Sequence, residues 1–181
     1  MKKLYPFISR SFIAGLLFLL LPFFASAQFT NIQIDPSNTY GETSILVNPK
    51  NTNQLIAGCN INNIYYSSNG GLNWTNVLLT SAWGHQGDPC AAVDTNGNWY
   101  FSHLTPTQDR IVIAKSTNGG ATWPTESYTG LTTKDTDKEW IKVDWSPNSP
   151  YKNDLYCTWA VLDAYSSSSP LDSAIIVMSK S

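Results

Sequence analysis

Positive charge is scarce in this 181-residue chain, which has 11 Lys and Arg, 13 Asp and Glu, and a formal net charge of −2. No Lys/Arg cluster lies beyond residue 27. We therefore expect no electrostatic site for phosphates and no nucleic-acid partner. Cysteine is also sparse, because Cys59, Cys90 and Cys157 are the only three. They exclude a disulfide scaffold, none has a Cys or His at zinc-ligand spacing, and the simplest interpretation is small buried strand residues.

Long apolar runs are missing except near the N-terminus. There, a positively charged start precedes the run FIAGLLFLLLPFF at 12–24, and the sequence ASA at 25–27 fits the signal peptidase rule. The run is short for a membrane span, and no stop-transfer segment follows it. We predict a signal peptide over 1–27 and a secreted or cell-surface protein with no membrane insertion after cleavage.

Beyond residue 27 there is no pattern of a long helix. Short runs with β-branched or aromatic residues alternate with Asn, Gly, Ser, Asp and Pro, which is typical of strands and turns. The clearest of these runs are 44–47, 54–58, 63–66 and 110–114. The sequence therefore predicts an all-β fold.

Two motifs repeat along the chain. The segment SSNGGLNW at 67–74 returns as STNGGATW at 116–123, 49 residues later. A second segment, ETSILVN from Glu42, aligns with DPCAAVD from Asp88 and with KEWIKVD from Lys138. Periods of 40 to 50 residues with about four strands each are typical of β-propeller blades. We expect a partial propeller over 28–181, with blades at about 42–80, 88–130 and 137–181, roughly two and a half blades of a larger ring.

The eight-residue motif suits a hairpin between the third and fourth strands of a blade. Its paired glycines accept positive φ values, and its Asn side chain accepts hydrogen bonds from backbone N–H groups about two residues on. The Trp is expected to fold over the turn and bury its ring. We assign a structural role to one set of residues in each copy: Ser67, Asn69, Gly71 and Trp74, and Ser116, Asn118, Gly120 and Trp123.

These turns resemble the Asp box of sialidases and related bacterial BNR-repeat proteins, whose usual form is Ser-x-Asp-x-Gly-x-Thr-Trp. Both copies carry Asn at the acidic position. The resemblance extends over residues 40–181 and implies a sialidase-type propeller. It further implies an exported, glycan-acting protein similar to glycoside hydrolases, with glycan or glycoprotein as partner and an active site incomplete in this stretch. The alternative is a non-catalytic carbohydrate- or protein-binding or adhesion propeller.

The resemblance also implies what a sialidase needs, namely an arginine triad, an Asp acid/base and a Tyr nucleophile activated by a Glu. Arg110 is the only arginine beyond residue 27, and the first strand of the first blade, GETSILV at 41–47, lacks the Arg-Ile-Pro-like segment of the family. We therefore transfer no catalytic residue, and whether the protein is an enzyme stays open at this point.

The remaining candidates are acids near the strand starts, Glu42, Asp88, Asp137 and Glu139, expected at one mouth of the channel. They suggest general acid/base hydrolysis, a hard cation such as Ca²⁺ as the one possible cofactor, or simple capping of backbone N–H groups. The preceding loop adds Trp83 as a sugar-stacking ring and His85 as an acid/base or ligand. His103 lies in a strand run and is a weaker candidate.

Overall fold

The computed structural model describes residues 30–36 and 41–181, so the predicted signal peptide, residues 1–27, lies outside the described residues. Within the described residues the chain forms eleven strands and no helix, which confirms the all-β prediction. Among these residues no helical segment has the length and apolar character that a membrane crossing requires.

The strands form three antiparallel sheets in which neighbours in sequence pair as hairpins. Sheet 1 contains β1 (Ser44–Val47), β2 (Leu55–Cys59), β3 (Asn63–Ser67) and β4 (Thr75–Leu78). Sheet 2 contains β5 (Cys90–Val93), β6 (Trp99–Leu104), β7 (Ile111–Ser116) and β8 (Thr125–Thr129). Sheet 3 contains β9 (Asp135–Val143), β10 (Leu155–Leu162) and β11 (Ala174–Lys180).

Sheet 3 begins earlier than the sequence predicts. The third blade is predicted from about residue 137, but its first strand, β9, starts at Asp135. The register between β9 and β10 shifts between Thr158 and Ala160, and pairing continues beyond that point to Leu162 opposite Asp135. A bulge of this kind absorbs one extra residue and lets the ladder resume, which explains the longer strand.

Sheet 2 lies between the other two sheets. One core cluster joins it to sheet 1 through Ile56, Ile64 and Phe101, and a second cluster joins it to sheet 3 through Cys90, Ile141 and others. Successive residues of β5 alternate between these two clusters, as side chains on a strand must. The first strands also lie side by side, since β5 contacts both β1 and β9.

The outer sheets each leave one face without a neighbouring sheet among the described residues. On sheet 1 this face carries a small cluster of Ala57, Cys59 and Tyr65, with Ile34 packed against it. On sheet 3, Trp140, Ile176 and Met178 are exposed. Cys59, Cys90 and Cys157 are all buried and unpaired, as the sequence analysis expects for small strand residues.

Candidate functional site

The first turn motif links β3 to β4 through a closed hydrogen-bond network. Asn69 and Gly71 both donate their backbone N–H groups to Ser67 Oγ, at 3.3 and 2.9 Å. Asn69 Oδ1 accepts from the backbone N–H of Asn73 at 2.9 Å, and Trp74 Nε1 donates to the carbonyl of Gly71 at 2.9 Å. Each side chain of the motif thus holds the backbone of the same turn.

The second turn motif, between β7 and β8, repeats this network almost atom for atom. Ser116 Oγ accepts from Gly120 N–H at 3.0 Å, and Asn118 Oδ1 accepts from Thr122 N–H at 3.0 Å. Trp123 Nε1 donates to the Gly120 carbonyl at 3.0 Å. The Asn side chain therefore reaches four residues on rather than the predicted two, and the Ser hydroxyl caps the glycine turn.

The glycines of these turns are required by their conformation. Gly70, Gly71, Gly119 and Gly120 all have φ between 73° and 93°, in the region that favours glycine. At Gly120 an added Cβ would also lie 2.5 Å from Ile56 Cδ1 of sheet 1. The second turn is thus packed against the neighbouring sheet as well as folded on itself.

The aligned strand-start positions share one unusual backbone conformation. Glu42, Asp88 and Lys138 have φ values of 53°, 54° and 52°, although none of them is glycine. The third member of this repeated position is therefore Lys138, and Glu139 lies one residue beyond it. The alignment of KEWIKVD with the earlier copies already indicates this, since Lys138 is its first residue.

Glu42 and Asp88 lie in direct contact. Their carboxyl groups share a hydrogen bond, which lowers the pKa of Glu42. Burial first, and this hydrogen bond second, raise the pKa of Asp88 to about 7. The fractional exposure of Asp88 is only 6%. Glu42 is therefore ionised at neutral pH, while Asp88 is close to the midpoint of its titration.

Asp88 is also hydrogen-bonded to residues of both neighbouring sheets. Its Oδ2 accepts from the backbone N–H of Lys138 at 2.9 Å, and its own N–H donates to Asn60 Oδ1 at 3.0 Å. Asn60 in turn donates from Nδ2 to Glu42 Oε2. Asn60, which the sequence analysis does not single out, thus bridges the two acids. These contacts join the start of sheet 2 to sheets 1 and 3.

Glu139 is placed differently from the other acids. It is 1% exposed, and both of its carboxyl oxygens are buried without a hydrogen-bond partner. Burial raises the pKa of Glu139 well above its usual range, with Asp88 and Asp137 adding to the effect. Burial of this kind favours the neutral form of the carboxyl over the charged form. Asp137 is half-buried and pairs across the strand with Ala160.

The spacing of Glu42 and Asp88 bears on hydrolysis. Carboxyl groups that flank a glycosidic bond stand about 5–5.5 Å apart in retaining enzymes and about 6.5–9.5 Å apart in inverting ones. Two carboxyls that hydrogen-bond each other are closer than either class requires. No group of three or more His, Cys, Asp or Glu side chains within 30–36 and 41–181 is arranged to hold a metal ion.

Trp83 and His85 lie on another part of sheet 2. The Trp83 ring meets the Tyr128 ring of β8 edge-on, with centroids 5.3 Å apart. The backbone N–H of Ala82 donates to Glu126 Oε2, also on β8, at 3.1 Å. The His85 ring lies 5.6 Å from the His103 ring of β6. The 81–87 loop therefore packs across β6 and β8.

Arg110 forms an ion pair with Asp109, its neighbour in sequence. Its Nη2 lies 2.7 Å from Asp109 Oδ2, and its guanidinium stands over the Tyr128 ring at 5.0 Å. The Arg110 hydrogen bond lowers the pKa of Asp109. This arginine is thus held at the outer strand of sheet 2, by an acid and an aromatic ring.

Comparison with protein-family models finds none that matches this chain, and comparison with curated proteins finds no match. The resemblance of the two turns to Asp boxes therefore stays a prediction.

Proposed function

We propose that this chain forms consecutive blades of an exported β-propeller of the sialidase-like Asp-box type, and that the protein acts on glycans. The observation that carries the proposal is the hydrogen-bond network of the two turns, repeated 49 residues apart between the third and fourth strands of successive sheets. Antiparallel sheets stacked face to face, with their first strands adjacent, support the same architecture.

The open faces of the outer sheets also favour a ring. Sheet 1 and sheet 3 leave apolar residues exposed on the faces that sheet 2 does not cover, among them Trp140, Ile176 and Met178. Propellers usually contain four to eight blades, each packed on two neighbours. Further sheets of the same kind on both sides would bury these faces.

If the protein is a glycoside hydrolase, we propose that its catalytic groups are residues other than Glu42, Asp88, Asp137 and Glu139. Glu42 and Asp88 are too close to flank a glycosidic bond, and Asp88 caps the backbone of Lys138. Arg110 is paired with Asp109 and stands alone beyond residue 27, whereas the family resemblance implies three arginines for a sialic acid carboxylate.

A second candidate function is a non-catalytic carbohydrate- or protein-binding propeller. The specific observation in its favour is that the acidic side chains serve the fold. Asp88 joins sheets 2 and 3, Asn60 links it to Glu42, and Glu139 is buried. Such a protein binds a glycan or a glycoprotein and does not hydrolyse it.

The test is a glycan array together with a panel of fluorogenic glycosides, both applied to the secreted chain and to Arg110→Ala. We expect the chain to bind a defined set of glycans on the array and not to hydrolyse a sialoside. Turnover that disappears in Arg110→Ala would show that the catalytic groups lie on these sheets. A chain that binds no glycan and cleaves none would overturn the glycan-acting proposal.

A further inference from the structure

A pair of histidines lies beneath the 81–87 loop. His103 is on β6, on the same face as Phe101, and is 1% exposed. His85 comes from the loop and is half-buried, with its ring centroid 5.6 Å from that of His103. Glu126 of β8 lies close enough to influence the charge on His85. Two imidazoles, one from the loop and one from β6, thus meet within electrostatic range of a carboxylate on β8.

Each side chain of this group has a buried polar atom without a hydrogen-bond partner. His103 Nδ1 lies 2.9 Å from the carbonyl oxygen of Leu104, which only accepts, so Nδ1 carries the proton and Nε2 a free lone pair. His85 Nε2 is likewise buried without a hydrogen-bond partner. Glu126 Oε1 is also buried and unpartnered. Buried acceptors with no donor among them need a cation or a donor from outside the chain.

We propose that His85 and His103 form a binding site for a borderline transition-metal ion such as Zn²⁺, with Glu126 providing the compensating negative charge. Two imidazoles bound to one Zn²⁺ at Zn–N distances of about 2.0–2.1 Å place their ring centroids roughly 5–6 Å apart, which matches the observed separation. Water completes the coordination, because only two protein nitrogens face the ion.

The protonation states suit a metal ligand. Burial lowers the pKa of His103 to about 4, so its imidazole is neutral at neutral pH, as coordination requires. Burial also lowers the pKa of His85, while the Glu126 carboxylate opposes that shift. The site uses residues apart from Glu42 and Asp88 and does not depend on the glycan-acting function.

The experiment is calorimetric titration of the tag-free secreted chain, first freed of metal by a chelator, with Zn²⁺ at neutral pH. A parallel titration with Co²⁺ reads the visible absorption of the bound ion. We expect one equivalent to bind, and we expect His85→Gln to weaken binding at least about tenfold. The matched control Gln86→Ala, an exposed neighbour in the same loop, keeps the affinity of the parent chain. Glu126→Gln weakens binding by a smaller factor.

Either of two results would overturn the proposal. One is the absence of both a binding heat and a Co²⁺ band in the parent chain, which would leave water as the donor to both imidazoles. The other is an unchanged affinity in His85→Gln, which would place the bound ion elsewhere. Ca²⁺ serves as the control ion, since it prefers oxygen ligands and is not expected to bind at an imidazole pair.

Discussion

The two turn motifs repeat their side chains, whereas the aligned segments that begin at Glu42, Asp88 and Lys138 repeat a backbone conformation. In the turns, the side chains of Ser, Asn and Trp recur and make the same hydrogen bonds in both copies. At the first residue of the second repeat, which precedes β1 and β5 but lies inside β9, the backbone recurs with φ near 53°, while the side chains are Glu42, Asp88 and Lys138. Side chains are therefore the same in each copy where they hold the backbone of their own turn. They differ between copies where they link one sheet to the next.

The difference follows from where the partners lie. All hydrogen-bond partners of the Ser, Asn and Trp side chains in the turns lie within four residues, so the same local sequence builds the same turn each time. The partners of Asp88 are Asn60, Glu42 and Lys138, which come from neighbouring sheets. Each strand start thus meets a different pair of neighbours, and its side chain differs accordingly.

The largest expected effect distinguishes the two turns from each other. Trp123 is 8% exposed and packs on Phe101 at 5.8 Å, whereas Trp74 is half-buried. We expect Trp123→Ala to lower the free energy of unfolding by about 3–5 kcal/mol and Trp74→Ala by roughly half as much. Urea unfolding of the parent chain and both variants measures this. Equal losses would mean that the deeper burial of Trp123 against Phe101 adds nothing to the stability of the second turn.

A smaller effect tests whether a side chain builds the turn backbone. Ser116 is 0% exposed, and its Oγ accepts from Gly120 and Asn118 N–H. Ser116→Ala leaves buried donors unpaired and should cost about 1–3 kcal/mol. The matched control is Thr117→Ala, at the next, exposed position. If thermal unfolding of the two variants has the same midpoint, the hydroxyl does not hold the turn.

The smallest effect is expected at Asp88 and depends on pH. Its pKa is raised to about 7, so the stability it contributes is fully present below its unfolded pKa and is lost as pH rises through 7. Asp88→Asn keeps an acceptor for Lys138 N–H and a donor for Glu42 but cannot ionise. Between about pH 5 and 8 the free energy of unfolding falls in the parent chain. We expect it to fall by about 1–2 kcal/mol less in the variant.

The measurement is chemical unfolding at several pH values. Glu139→Gln is the companion variant, because the pKa of Glu139 is raised as well and contributes a loss of the same sign. The pKa of Glu42 is lowered, so its contribution is lost only as pH falls through the acidic range. A parent and an Asp88→Asn chain with the same pH profile would show that this acid does not exchange its proton in that window.

By itself, the amino-acid sequence determined the all-β class, most strand positions and the two turns. Strand alternation and the Ser-x-Asn-x-Gly-x-x-Trp spacing act over a few residues, and the hydrogen bonds that satisfy them are local. One detail of the turns was wrong: the side-chain oxygen of Asn69 accepts from the backbone N–H four residues on, not two. The early start of sheet 3 was also missed, because the bulge within β9, where two residues lie opposite one residue of β10, leaves no clear signal in the sequence.

The tertiary structure alone decided which acids meet and how they are protonated. Asn60 joins Glu42 to Asp88, Glu139 is buried while its neighbours are not, and His85 reaches His103 through the path of the 81–87 loop. These outcomes depend on desolvation and on contacts between residues 18 or more positions apart. Such terms arise only when sheets pack against each other, so no spacing along the chain encodes them.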